Sequence, residues 1–219
     1  MDKLLTFKSL HKLFKENGYS LYLVGGTVRD FLLGLELNDY DVVTNATPKD
    51  METFLENANY TFAKYGSVKL HYQNIKFDIT TLRKEEGYLD SRHPNKIVFC
   101  DSLEDDSKRR DFTINALYMN KDLEVIDLVG GQKDIERKVI RMIGNPLKRI
   151  EEDPLRIIRI YRFELETGFE IEKELQKTLE ENFSKVNLLN KEKVMQEIRK
   201  SSHPDELRKI LKSHGIFVD

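Results

Sequence analysis

Asp39 and Asp41 stand two positions apart in the run NDYDVVT, which is otherwise mostly apolar. In an extended chain alternate side chains share a face, so this spacing predicts two carboxylates side by side, roughly 7 Å apart at Cα. Such a pair can hold one or two Mg²⁺ ions, and two metals can clamp the attacking and leaving oxygens of a phosphoryl or nucleotidyl transfer. Just upstream lies LVGGTVRDFLLG, beginning at Leu23. It reads as a short strand over Leu21 to Val24, a turn at Gly25-Gly26 and a short helix. A glycine turn feeding a helix N-terminus aims backbone N–H groups at one spot, which suits a phosphate. Gly26 belongs to that cradle, and Arg29 adds a fixed positive charge one turn in. Thr27 is expected to cap the helix, and Gly34 to end it in a left-handed conformation. No Gly-Lys-Ser/Thr follows, so this is not a Walker A loop. The central glycine and final glutamate of an EF-hand are also missing.

Three further groups extend the chemistry. Asp78, in IKFDIT, falls on the polar face of an alternating run and is read as a third carboxylate of the site. It could serve as a metal ligand or as a general base. Lys108, Arg109 and Arg110 form a basic cluster that is expected to precede a helix, with Asp111 and Asn115 one turn apart on one face. A cation and an amide on one surface could hold a triphosphate and a ribose hydroxyl. Further on, Asp153-Pro154 opens a helix in which Arg156, Arg159 and Arg162 recur every three residues.

The elements that position these groups alternate in type. Leu4, Phe7, Leu10, Leu13 and Phe14 recur at helical spacing over residues 3 to 17, where Asn17-Gly18 stops the helix. Thr47-Pro48 starts another helix, with Pro48 at its first position. Thr61 to Ala63, Ser67 to Tyr72 and Ile75 to Leu82 read as short strands. Residues 84 to 107 are polar and read as a mobile surface loop, strand-like only over Ile97 to Cys100. Asp127 to Asp134 is a strand-to-helix turn, and Lys138 to Ile143 a last strand closed by Gly144-Asn145-Pro146. Amphipathic helices follow over Lys173 to Glu181, Lys191 to Ser201 and Asp205 to Ser213.

Composition bounds the function. The 219 residues allow one large or two small domains, and the one cysteine, Cys100, excludes an internal disulfide or a thiolate zinc site. No apolar run is long enough to span a membrane, and the lysines of the N-terminal stretch mark an amphipathic helix rather than a signal peptide, which points to the cytoplasm. A net charge of -2 means that any RNA site is a local patch rather than the whole surface.

LVGGTVRDFLLG followed by DYDVVT closely resembles the signature of the class II tRNA nucleotidyltransferase (CCA-adding enzyme) and bacterial poly(A) polymerase family. The resemblance implies an α/β (α+β) fold: a polymerase β-like nucleotidyltransferase head with a mixed sheet over residues 1–145, then an all-helical neck over 146–219. It implies Asp39 and Asp41 as metal ligands, and Asp78 as an acidic residue just before Thr80-Thr81-Leu82-Arg83. The family's flexible loop matches Arg83, Glu85 or Glu86, Tyr88, Asp90, Arg92 and Pro94; CC-only enzymes lack it, which favours an enzyme able to add the terminal A. The run KRRDFTINALYM matches the second motif, with its arginine at Arg110. The glycines Gly130-Gly131 fall where the family links head to neck, so a hinge is expected there. EDPLRIIR matches the family's EDxxRxxR nucleotide-selecting motif. An Asp153 acceptor beside Arg156 donors can accept the pairing edges of C and A and reject U and G, with Arg159 and Arg162 in support. The later run NKEKVMQEIRKS has Glu192-Lys193 where the family usually has Glu-Arg.

The implied activity is Mg²⁺-dependent addition of CMP and AMP, from CTP and ATP, to the 3′ end of tRNA, with pyrophosphate released. Alternatives are an A-adding enzyme, a poly(A) polymerase, or a nucleotide- or RNA-binding protein without catalysis. Family members usually continue into body and tail domains, so the chain is either a fragment or a compact enzyme, and a dimer is one possible assembly.

Overall fold

The structure is a computed structural model that describes residues 3–37, 40–90 and 93–217. These fall into two compact units. The first lies within Met1–Glu86, Lys96–Arg110 and Ile114–Gln132, the second within Gly87–Asn95, Asp111–Thr113 and Lys133–Asp219.

The first unit opens with helix α1 (Lys3–Glu16), whose Phe7, Leu10 and Phe14 are buried. Strand β1 (Leu21–Val24) leads into α2 (Gly26–Leu32), β2 (Tyr40–Thr44) and the single turn α3 (Pro48–Met51). A capping box between Thr47 and Asp50, with Pro48 in the first turn, fixes the start of α3. Strands β3 (Ser67–Tyr72) and β4 (Ile75–Thr81) follow. Then come β5 (Arg83–Asp90) and β6 (His93–Phe99), paired in a two-stranded sheet of their own whose residues 87–95 are assigned to the second unit, and α4 (Leu103–Arg109). Strands β7 (Leu117–Met119) and β8 (Val125–Asp127) complete a six-stranded sheet of order β3-β4-β2-β1-β7-β8. Only β2 and β4 run parallel; the other neighbours are antiparallel, so the sheet is mixed. Leu23, Val42, Val43, Phe77 and Ile79 are buried in it. Helix α5 (Gly131–Arg137) begins where one Asp127 carboxylate accepts the N–H groups of Val129, Gly130, Gly131 and Gln132 at 2.8–3.1 Å.

In the second unit β9 (Val139–Ile140) is followed by α6 (Pro146–Glu152) and α7 (Leu155–Thr167). Strand β10 (Glu170–Ile171) pairs in parallel with β9, and α8 (Lys173–Asn182), α9 (Lys191–Lys200) and α10 (Pro204–Ser213) close the chain. Helix α7 is the hub. Leu155, Ile158, Ile160 and Tyr161 are buried on it, and α9 and α10 both pack against it through Val194, Ile198, Leu207 and Leu211. Phe112, from the segment Asp111–Thr113, meets the Phe163 ring edge-on at 5.5 Å, and the Asp111 carbonyl accepts the Ile143 N–H at 2.9 Å.

Several sequence expectations need correction. Thr61 to Ala63 is no strand but a turn leading into a 3₁₀ helix at Ala63–Tyr65. The polar stretch after Arg83 is a strand pair and a helix: strand pairing is made by the backbone, which a side-chain pattern need not reveal. The strand expected over Lys138 to Ile143 contracts to two residues.

Candidate nucleotidyl-transfer site

Gly25 turns the chain out of β1 with φ 68° and ψ −130°, a conformation open in practice only to glycine. No side chain caps α2. The Thr27 hydroxyl, expected as the cap, instead accepts the Asp41 N–H at 2.9 Å, tying the helix start to β2. The left-handed stop holds: Gly34 has φ 70°, and the Leu35 N–H reaches back to the Asp30 carbonyl at 2.9 Å.

Asp39 lies outside the described residues. Asp41 is exposed on β2 and stands directly opposite Asp78 in the parallel β2–β4 register. Paired residues on adjacent strands point to the same face, about 4.8 Å apart, so the sheet brings the expected third carboxylate beside Asp41. Among the described residues, the buried Asp78 Oδ1 atom accepts no hydrogen bond and has only the Lys69 ammonium at 3.5 Å for partner. A buried, underused carboxylate oxygen next to a second carboxylate fits a hard divalent cation, an oxygen-seeking ion. Among the described residues no cluster of three or more His, Cys, Asp or Glu is arranged for a metal.

A cleft of about 270 Å³ opens at this point, lined by Val24, Gly25, Asp41, Val42, Thr80, Arg83, Arg109 and Arg110. Arg109 and Arg110 lie at the C-terminal end of α4, not before a helix as expected. Both rest on Asp106, a fully buried carboxylate that the sequence reading passed over. Arg109 Nε donates to Asp106 Oδ1 at 2.8 Å, while Arg110 Nε and the Tyr118 hydroxyl donate to Oδ2 at 2.9 and 2.8 Å. Burial opposes ionisation of Asp106, yet the Arg110 and Arg109 guanidiniums and the Tyr118 hydroxyl outweigh it and hold the carboxyl below its ordinary range. Burial pushes the Tyr118 phenol upward.

Arg29 is nearly buried. Its Nε donates to Asp30 and its Nη1 to the Asn115 Oδ1, both at 2.8 Å. Arg29 and Asn115 therefore brace the glycine turn, and neither lines the cleft. The expected helical face shared by Asp111 and Asn115 does not form. Asn115 ends a 3₁₀ turn and belongs to the first unit, and Asp111 belongs to the second.

In the second unit Asp111 collects three arginines. Arg156 Nε donates to Oδ1 at 2.9 Å, Arg159 Nη2 lies 2.8 Å from Oδ2, and Arg149 Nη2 stands at 3.9 Å. Arg156 also donates through Nη1 to the Arg149 carbonyl. Burial opposes ionisation of Asp111, but Arg159 and Arg156 prevail and lower its pKa. Asp153 Oδ1 accepts the Leu155 N–H at 3.0 Å, but the cap of α7 is Pro154 rather than Asp153, which instead ends α6. Arg156 is thus paired with Asp111. Arg162 lies over the Phe163 ring at 4.5 Å and meets Glu197 of α9 at 3.3 Å. Glu197 also escaped the sequence reading, because nothing in local spacing reveals a partner on another helix. Arg92 lies outside the described residues, as do the side chains of Glu85, Glu86, Tyr88, Asp90 and Pro94.

Carboxylates in register on a mixed sheet, beside a glycine turn and paired arginines, define a site of the phosphoryl- or nucleotidyl-transfer class. Residues 21–141 match the poly A polymerase head domain, and the chain belongs to that family. Nucleotidyltransferases of this family use divalent metal ions. The CCA-adding enzyme of Bacillus pumilus is 38% identical over 213 residues, 96% of this chain and 53% of the relative. That of Leuconostoc mesenteroides is 42% identical over 165 residues, 75% of this chain and 41% of the relative. Among solved structures, the Bacillus stearothermophilus CCA-adding enzyme in complex with CTP superposes with a TM-score of 0.86 at 30% identity, covering 97% of this chain and 53% of that one. A tRNA nucleotidyltransferase complexed with a primer tRNA and an incoming ATP analog gives 0.75 at 30% identity, covering 94% and 59%. The chain spans about half the length of the curated relatives it matches.

Proposed function

We propose that this chain carries the catalytic and nucleotide-selecting part of a CCA-adding tRNA nucleotidyltransferase, which transfers CMP and AMP from CTP and ATP to the 3′ end of tRNA in the cytoplasm. The observation that carries the reading is the cleft in which Asp41 meets Arg109 and Arg110 at the Gly25 turn. Relatives named for CCA addition, and solved structures named with CTP and with a primer tRNA, support it. Nucleotidyl transfer is assigned to residues 1–145 and base selection to the helical residues 146–219.

The primer 3′ oxygen attacks the α-phosphorus, the bond from that phosphorus to the oxygen bridging to the β-phosphate breaks, and pyrophosphate leaves. Asp39, Asp41 and Asp78 would hold Mg²⁺, which when bound supplies charge for the attacking and leaving oxygens. Asp78 is also placed to receive the proton of the primer hydroxyl if it is not itself a ligand. Arg109 and Arg110 face the departing diphosphate, and the Gly25-Gly26 backbone cradles it, with Arg29 and Asn115 holding that turn rigid. Asp153 and Arg156 read the base through an acceptor and a donor set, the latter fixed by Asp111. Arg159 and Arg162 keep α7 in position through Asp111 and Glu197.

The test is incubation with tRNA lacking its 3′ CCA, CTP, ATP and Mg²⁺, with products sized at single-nucleotide resolution. Extension by three residues that stops there is expected. One added residue, an A tail or no extension would each overturn this assignment in favour of an A-adding enzyme, a poly(A) polymerase or a non-catalytic binder.

A further inference from the structure

We infer that Asp106 is a positioning residue for the polyphosphate arm of the incoming nucleotide, acting through Arg109 and Arg110. The inference rests on reading the cleft as the triphosphate site. Asp106 is fully buried, yet it touches two cations that line the cleft. Each guanidinium is gripped by the same edge. Arg109 offers Nε and Nη2 to Oδ1 at 2.8 and 2.7 Å, and Arg110 offers Nε and Nη2 to Oδ2, both at 2.9 Å. Gripping that edge leaves Nη1 to set the direction of each arginine. In Arg110 it points to the glycine turn, 3.8 Å from where a Cβ on Gly25 would sit. The Tyr118 hydroxyl donates to Oδ2, and its ring lies 5.3 Å from the Arg110 guanidinium carbon, so the carboxylate is itself held from behind.

An arginine on a flexible stem loses rotamer freedom each time it binds a phosphate, and a carboxylate that fixes it beforehand removes that cost. One carboxylate under two guanidiniums leaves a net positive charge at the cleft, and it does so without presenting its own oxygens to a phosphate. A device of this kind acts on phosphate, which CTP and ATP share. It should therefore affect both nucleotides by one factor and leave the choice between them untouched. A carboxylate that only stabilised the fold would instead lower the fraction of active protein and leave the apparent affinity of the survivors unchanged.

The test uses Asp106→Asn, which keeps size and a hydrogen-bond acceptor for Tyr118 but removes the charge. Inorganic pyrophosphate is titrated calorimetrically into the folded chain, and KM and kcat are measured separately for CTP and ATP. Expected are a pyrophosphate Kd raised about tenfold or more, KM raised by a common factor for both nucleotides, and partial recovery in Asp106→Glu. A folded Asp106→Asn protein with parental pyrophosphate affinity overturns the inference. If that variant does not fold, Asp106→Glu and Tyr118→Phe carry the test, since each disturbs the grip without uncovering a bare charge. Parental pyrophosphate affinity in both overturns it equally. The pyrophosphate titration needs no turnover. If the chain fails to extend tRNA but loses pyrophosphate with Asp106, the proposed reaction falls and the positioning role stands. If it extends tRNA and the Asp106→Asn Kd is unchanged, the reverse holds.

Discussion

Asp111→Asn should be the most damaging conservative change in the second unit. Asp111 accepts from Arg156 at 2.9 Å, lies 2.8 Å from Arg159 and has Arg149 at 3.9 Å. Its side chain is only 14% exposed, so solvent cannot take over the screening of those cations. Hydrogen bonds to charged groups contribute about 1.5–3 kcal/mol each; the variant's amide oxygen can keep one of the two, so one is lost outright. Removing one partner of a buried ion pair costs about 3–5 kcal/mol because the remaining charge is left uncompensated. The ion-pair loss is the larger, and for a chain of this size it corresponds to roughly 6–20 °C in Tm. Urea unfolding at pH 7, read by circular dichroism, measures the gap. Its pH dependence has a definite sign. The Asp111 pKa is lowered in the folded protein, so its stabilisation is complete above the unfolded value and disappears as pH falls through the folded one. The difference between parent and variant should therefore be widest near neutrality and shrink steadily below about pH 4. A gap under about 1 kcal/mol at pH 7, or one that widens on acidification, would refute the reasoning.

Asp41→Asn and Asp78→Asn should each reduce nucleotide transfer by about a hundredfold or more in single-turnover assays while the circular dichroism spectrum is retained; a variant within tenfold of the parent would remove that aspartate from the site. Thr27→Val keeps the shape of the side chain but removes the acceptor of the Asp41 N–H, so it should cost about 1 kcal/mol in urea unfolding and slow transfer. Unchanged stability and rate would mean that this bond does not hold β2. Gly25→Ala meets only ordinary contacts, 3.7 Å to the Asn115 carbonyl and 3.8 Å to Arg110, so its expected loss of about 1–3 kcal/mol comes from the backbone at φ 68°. A neutral result in the same unfolding assay would show that the turn relaxes.

Local signals in the sequence carried well into the structure where one element explains itself. Leu21–Val24 and Ser67–Tyr72 are strands over the residues expected, and Pro48 and Gly34 punctuate helices as their chemistry requires. The juxtaposition of Asp41 and Asp78 was also legible, because both fall on polar faces of strands in an acidic pattern. What escaped was long-range. Asp106 sits in an acidic run, LEDDS, within the stretch read as a mobile surface loop, and only the fold shows that one of its carboxylates is buried under two arginines. Asp111 and Glu197 likewise acquire their meaning from partners 45 and 35 positions away. Thr27 illustrates a competition: the same hydroxyl could cap its helix or hold the neighbouring strand, and the strand wins.

The path of the chain between the two units bears on how such a protein can be recombined. It passes from one to the other after residues 86, 95, 110, 113 and 132. At the third of these passages, consecutive residues are committed to different units, Arg110 to Asp106 and Asp111 to the arginines of α7. A gene chimera with a single crossover anywhere between 87 and 132 would leave both units drawn in part from each parent. To exchange the second unit cleanly, a breeder of hybrid enzymes must carry Gly87–Asn95 and the three-residue insert Asp111–Thr113 along with everything after Gln132. Mismatched inserts should survive only between parents that share the acidic residue at 111, which makes that short peptide a compatibility tag written inside the other unit's sequence.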